Sequence, residues 1–576
     1  MTSGPPAARA TPPVARPTPP VAHRRAELAG RAGLAASLAS VALTFGVAAA
    51  GPSVLEPALP GAAGRPPWSF DLHLAAGLAM GLAAVALALG ATGVGLCLYA
   101  ARRGWAISPR LLLGAGLLAA AALTLVPPFG SADHLSYAAY GRMAVTGHDP
   151  YTTTPAALAR LGDPVARAVQ DWRHSPSVYG SVATGLQALA AEIGGRSARG
   201  IVFVLSLLNL AAFAGTGLLA HQLGRGRRDR QMRAALLWTG NPLLLQVVVG
   251  GGHVDGVAVC LAVCGVGLFP LSLRFSFSLR YAGRATLAPA EALAPGTPEP
   301  VPPLAPTSGR LACSFLIAAG AGALAGLAFG VKISMVLVLV GLVLAAALAV
   351  FTADRSRWLP FAVVTTGLLT GFVVTAAASF IPWGFGVLGP ALRAGSYVSI
   401  GSPWRPVRSA LHLGMAEATA NDLVRTGAVI LAVALLVLFV RPLTALARNY
   451  GRGTAPGLGQ ENPDALTLTA ASVLAVVFAW LVAWTYVLPW YDSLAWGLLA
   501  LLPWLPAPWA ALDWLVLART TVLALGYLPA RGITLPPGLD WTRTVVRTGV
   551  TPVLLLALTV LLVVALRSGG SDRNAA

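Results

Sequence analysis

A chain of 576 residues that is 56% hydrophobic and only 11% charged, with a mean hydropathy of +0.72, carries far more apolar sequence than a soluble core needs and reads as an all-α protein crossing a membrane many times. The net charge of +19 and a pI near 11.0 raise nucleic acid as a partner. The arginines fall in short segments between apolar runs, where the positive-inside rule puts them, and no basic soluble domain is present, so nucleic-acid binding is excluded.

Residues 1–32 begin rich in Pro and Ala with few large apolar side chains, and such a segment cannot offset its ordering entropy. A disordered cytoplasmic tail is expected there, held inside by Arg24, Arg25 and Arg31. Run 33–50 is expected as an uncleaved first span of a transmembrane domain covering 33–567, because more spans follow and no clear cleavage site does. Run 72–100 returns to Arg102, Arg103 and Arg110, which mark the cytoplasm. Run 111–126 then delivers an outer loop, 127–197, to the extracytoplasmic side.

Within that loop, residues 131–151 read SADHLSYAAYGRMAVTGHDPY. Asp133 and His134 follow Pro127 and Pro128 by a few residues, so they are placed at the membrane surface, a usable position for a base. Ser136, Tyr137, Tyr140 and Arg142 follow at near-helical spacing, and Asp149-Pro150-Tyr151 is a turn signal, which predicts a short surface helix presenting polar groups. The same pattern fits an amphipathic helix lying on lipid.

Run 201–220 leads to Arg225, Arg227, Arg228, Arg230 and Arg233, again cytoplasmic, so no net crossing is expected between Asp133 and Arg196, although 178–193 is fairly apolar. Runs 234–249 and 257–273 form a hairpin turning outside at His253 and Asp255. A Pro-rich cytoplasmic linker, 274–310, precedes runs 311–330 and 333–351, joined outside at Lys332. Run 363–380 leads to a second outer loop, 381–425, holding Trp383, Trp404, Arg405 and Arg408. Arginines kept outside against the topological bias point to a phosphate or other anion, although a long translocated loop is largely free of that bias. Runs 427–440, 466–487, 494–504, 510–528 and 546–566 complete about fourteen spans of ~20 residues and leave 568–576 inside. Cys97, Cys260, Cys264 and Cys313 have no ligand-like spacing and read as packing residues.

The outward ends of different spans supply Asp133, His134, His253, Asp255, Lys332, Arg405, Arg408 and Asp492. One chemistry for such a set is sugar transfer from a lipid-phosphate donor. A carboxylate such as Asp133 accepts the proton of an acceptor hydroxyl as it attacks the anomeric carbon, and Lys332 with Arg405 and Arg408 has the sign to neutralise a departing phosphate. Trp383, Trp404 and Trp490 could stack on sugar faces, but an interfacial aromatic belt is the stronger account of each. His253 and Asp255 suit donor hydroxyls or the closing of a helix hairpin, and Asp492 suits interface anchoring. Spacing alone leaves Asp149 and Asp255 beside Asp133 as candidate bases.

The first-loop string, the later HSPSVYGS, NPLLLQVVVGGGHVDG, GLAFGVK and LPWYDSLAWGLLALLP together resemble the multispan GT-C glycosyltransferases, and among them the actinobacterial polyprenol-phosphate-mannose-dependent α-1,6-mannosyltransferases of lipomannan and lipoarabinomannan core assembly. The resemblance runs from about Gly33 to Leu566. It implies polyprenyl-phosphate mannose as donor, a mannan or lipoglycan acceptor, and a multi-pass enzyme of the plasma membrane. It also implies inverting transfer on the extracytoplasmic face and a base in the first large loop, which maps onto Asp133, with His134 and Tyr137 as neighbouring substrate contacts. GT-C first loops often carry two nearby acids. Here no second acid follows until Asp149, so catalysis without a metal or other cofactor is expected. The rival class is a transporter or flippase of a lipid-linked glycan. Transporters usually show internal repeats and polar residues near the midplane, whereas here the polar residues gather at outer ends.

Overall fold

Apolar segments in lipid must close their backbone hydrogen bonds internally, and every regular element of the described residues is helical. The computed structural model describes residues 20–62, 64–277, 308–351, 358–452 and 464–568. Among these it holds twelve helices long and apolar enough to span a membrane. Fourteen were expected. Run 111–126 is the 16-residue helix α3 (Pro109–Thr124), and run 494–504 holds only the nine-residue α19 (Ser493–Leu501), both shorter than a full span.

The first helix, α1 (Pro20–Ala50), packs along α2 (Ala76–Ala101). Residues 20–32, expected in the disordered tail, are therefore helical. Ala, Leu, Arg and Glu are strong helix formers, and Glu27 and Arg31 pair at 2.6 Å one turn apart. Residues 1–19 of the expected tail and 569–576 of the other lie outside the described residues, as do 278–307 of the linker.

The loop expected outside, 127–197, folds into α4 (Asp133–Val145), α5 (Pro155–Arg160), α6 (Pro164–Arg167) and α7 (Ser181–Gly194). Both α5 and α6 start with proline after a capping side chain, Thr154 or Asp163. Contrary to expectation, α4 is no surface helix, since His134 through Met143 are all buried. Its Leu135, Ala138, Ala139 and Met143 join Ala190 and Ala191 of α7 and Ile201 and Val202 of α8 (Ala198–Leu223) in a core of their own. Gly141 lets α4 approach the Gln187 carbonyl of α7, where a Cβ would collide. The loop is thus a packed cap on the helix bundle.

A broken crossing, α9 (Arg228–Leu237), α10 (Pro242–Leu244) and a π-helical turn (Leu245–Gly250), leads to α11 (Asp255–Phe277). Then α12 (Ser308–Val331), α13 (Val336–Phe351) and α14 (Trp358–Phe380) follow. Glycines four apart on α12 (Gly322, Gly326) and on α14 (Gly367, Gly371) bring those two backbones into contact, the close-packing device of membrane helices. The second loop expected outside, 381–425, carries α15 (Leu388–Ala394) and α16 (Trp404–Leu411). It ends earlier than expected, at the 36-residue α17 (Glu417–Arg452).

After α18 (Ala465–Ala483), α19 stops at Leu501 because Pro503 drives Leu502 into an extended conformation. The released Leu502 carbonyl accepts from Arg233 Nε at 3.0 Å, and Arg102 and Arg233 both grip Asp513 of α20 (Trp509–Gly526), at 2.6 Å each. The chain beyond α19 therefore reaches the same end of the bundle as Arg102 and Arg233. The final helix is α21 (Thr551–Ser568).

Candidate active site

Asp133 stands in the first turn of α4, its backbone N–H capped by Ser131 Oγ at 3.1 Å. It lines two cavities at once. The first, about 160 Å³, is walled by Tyr137, Tyr179, Trp484, Tyr486 and Tyr491 and has Lys332 at its side. The second, about 740 Å³, holds Arg405, Arg408, Arg531 and Arg547. Trp172, Tyr397, Tyr486, Leu488 and Trp490 border both. Two strands of loop meet between them: Thr485 Oγ1 donates to the Tyr397 carbonyl at 2.9 Å, and Ser399 N–H to the Thr485 carbonyl at 3.1 Å.

Burial, then the negative charges of Asp171 and Asp255, push the Asp133 carboxyl up to about 7, against the neighbouring Trp172 side chain and the charge of Lys332. A carboxylate titrating there is matched to general-base work near neutrality. Its side chain is 14% exposed, so it reaches the cavity while remaining largely desolvated.

The other expected residues divide into three groups. Tyr137 faces the first cavity and accepts a hydrogen bond from Tyr179 at 3.2 Å. Lys332 faces it too, paired to Asp255 at 2.6 Å and 3.4 Å from the centre of the Tyr491 ring. Burial lowers the Lys332 pKa, opposed by Asp255.

His134, His253 and Asp255 border neither cavity. The His134 ring is buried with no hydrogen-bond partner among the described residues, and burial together with Arg531 pushes it down to about 3, so it is neutral. His253 stacks on Trp490 with ring centres 3.7 Å apart, and its Nδ1 lies 3.7 Å from Asp133 Oδ2. Burial, Lys332 and His134 hold His253 well below its usual range. Asp255 serves Lys332.

Arg405 and Arg408 face the second cavity with different freedom. Arg408 is bound to Glu417 and to Asn421, at 2.6 Å each, whereas no side-chain partner of Arg405 is found among the described residues. Asp149 is spent on its own turn, accepting from Tyr151 N–H at 2.9 Å and Thr152 Oγ1 at 3.0 Å. Asp492 anchors no interface. It is buried, ion-paired with Arg519 and accepts from Thr520 at 2.9 Å. Trp490 is a cavity wall, while Trp404 donates to the Ala483 carbonyl at 2.7 Å and Trp383 packs on Tyr151.

Sequence reasoning missed Trp172, Tyr179, Tyr397, Arg531 and Arg547. It also missed the density of aromatics between Trp480 and Tyr491, a signal visible in the string WLVAWTYVLPWY. Arg531 and Arg547 hold the backbone that closes the second cavity. Arg531 donates to the Ser53 carbonyl at 2.7 Å and to Gln170, and Arg547 to the carbonyls of Gly526 at 3.0 Å and Pro529 at 2.7 Å. Among the described residues no three His, Cys, Asp or Glu side chains converge as metal ligands.

The family described as "Alpha-(1->6)-mannopyranosyltransferase, N-terminal domain" matches residues 30–349, more than half of the chain. A probable alpha-(1->6)-mannopyranosyltransferase of Mycolicibacterium smegmatis is 32% identical over 151 residues, 25% of this chain and 26% of that protein. Alpha-(1->6)-mannopyranosyltransferase B of Corynebacterium glutamicum is 30% identical over 149 residues, 26% of this chain and 25% of that one. The matches thus span about a quarter of the length of these relatives. Among solved structures, the oligosaccharyltransferase of Archaeoglobus fulgidus in complex with an inhibitory peptide and a dolichol-phosphate aligns with a TM-score of 0.36 at 14% identity, over 78% of this chain and 56% of that one.

Proposed function

The chain belongs to the alpha-(1->6)-mannopyranosyltransferase family, and from that premise we propose that it transfers mannose from polyprenyl-phosphate mannose to an α-1,6-mannan or lipoglycan acceptor on the extracytoplasmic face, with inversion. The observation that carries this reading is the position of Asp133, a carboxylate tuned to about 7 at the border of an aromatic cavity and an arginine-bearing one. The two chambers suit a reaction between two bulky partners.

In the proposed step the acceptor hydroxyl gives its proton to Asp133 as its oxygen attacks the anomeric carbon. The glycosidic carbon–oxygen bond forms while the bond to the donor phosphate breaks, its electron pair going to the phosphate. Arg405, the guanidinium left unengaged on the second cavity, takes the phosphate charge, and bidentate Arg–phosphate bonding fits that role. Lys332, tied to Asp255, contributes positive charge at the wall of the first cavity and keeps Asp133 from titrating higher still. His253 and His134, both neutral, fill the space behind Asp133 with no charge competing for its proton.

The test is transfer of labelled mannose from polyprenyl-phosphate mannose to a short α-1,6-mannoside by membranes carrying this protein, with and without a chelator. Transfer that survives chelation is expected. No transfer from this donor contradicts the reading and points to another donor or to transport of a lipid-linked glycan, and transfer abolished by chelation contradicts the metal-free step.

A further inference from the structure

Three non-glycine residues among those described have positive φ, and two of them, Asp71 and His73, are types that tolerate it. The third is Trp172, at φ 60. A bulky residue in that region is strained, and such strain persists only where the surroundings over-determine it, typically at functional sites. The surroundings do so here. Gln170 accepts from Arg531, and Asp171 accepts through its side chain from Gly532 N–H at 2.9 Å and through its carbonyl from Ser136 Oγ at 3.3 Å. The Trp172 carbonyl accepts from Ser175 N–H at 3.0 Å, and that of Arg173 from Ala156 N–H at 2.8 Å. A segment pinned on both sides holds its one aromatic side chain in an unfavourable backbone conformation.

Packing does not explain it, since Trp172 is 45% exposed. Its exposed surface borders both cavities, beside Asp133. We infer that Trp172 is the platform on which the transferred sugar is seated at the junction of the two chambers, its indole plane meeting the carbon-bearing face of the pyranose. An indole suits this task because it offers a broad apolar face. The inference rests on the mannosyl-transfer reading for the identity of the sugar, not for the strained geometry.

The experiment compares Trp172→Gly and Trp172→Phe with the parent, by thermal unfolding of the purified protein and by kcat/KM for mannose transfer. Glycine accepts φ 60 without strain, so Trp172→Gly should melt no lower than the parent while kcat/KM falls at least about 30-fold, the scale of losing an aromatic anchor. Trp172→Phe, which keeps an aromatic face at this position, should keep most of the transfer. A Trp172→Gly variant that melts several degrees lower would make the ring a packing element and overturn the inference, as would one that transfers like the parent. If the parent itself transfers no mannose, the proposed function fails, and the melting comparison still judges whether the strain serves packing.

Discussion

At the scale of single residues, the site turns on how one carboxylate is set apart from its neighbours. Asp133, Asp149 and Asp255 were indistinguishable by spacing. Asp149 spends its oxygens on a turn and Asp255 on Lys332, and only Asp133 borders both cavities. Because its pKa is raised to about 7, the base form is depleted as pH falls through neutrality. The acid limb of kcat/KM is therefore expected near pH 7, and a limb near the ordinary Asp value of about 4 would contradict the assignment. The arginines divide in the same way. Arg405→Ala is expected to raise KM for the lipid donor about tenfold or more, the scale of a hydrogen bond to a charged group. Arg408→Ala, whose partner Glu417 is 69% exposed, should cost about 0–1 kcal/mol of stability. Equal effects of the two on donor KM would contradict the distinction. A place at a cavity wall was legible in the sequence for Asp133, Tyr137 and Lys332. It was not for Trp172 or Arg531, whose roles depend on loops that return to the site from far along the chain.

At the scale of elements, hydropathy located every long span, because the need to bury backbone polar groups in lipid leaves a strong mark on composition. It mislocated elements whose burial is by protein. α4 carries polar residues and was expected at a surface, yet it lies under α7, where Tyr140 donates to the Ser175 carbonyl at 3.1 Å and Arg142 pairs with Asp163 at 3.0 Å. Polar side chains that find partners within a cap look, in sequence, like side chains that face water. The α12–α14 contact was legible but unread, since the glycines four apart stand plainly in the string. Gly371→Leu should disrupt it, the side chain entering the Ala319 backbone, and is expected to lower the melting temperature in detergent well beyond Gly64→Leu, which meets nothing within 4 Å. Equal melting of the two variants would show that the close approach is not needed.

At the scale of the molecule, the chain gathers its charges at two ends. At one end Arg102 and Arg233 share the fully buried Asp513, and both guanidinium groups lie over Trp504. Removing the shared partner leaves two desolvated cations, so Asp513→Ala is expected to destabilise by about 3–5 kcal/mol, read as lost folded protein in membranes. A variant as abundant and stable as the parent would contradict that clamp. At the other end the cap, the second loop and the aromatic segment enclose Asp133, and the proposed chemistry lies there. The most direct measurement is mannose transfer from polyprenyl-phosphate mannose by the parent and by Asp133→Asn at matched protein levels. The account predicts transfer by the parent and a loss of at least about 10²-fold in the variant, since Asn keeps the shape and cannot take the proton. An Asn variant as active as the parent would contradict the account at its centre.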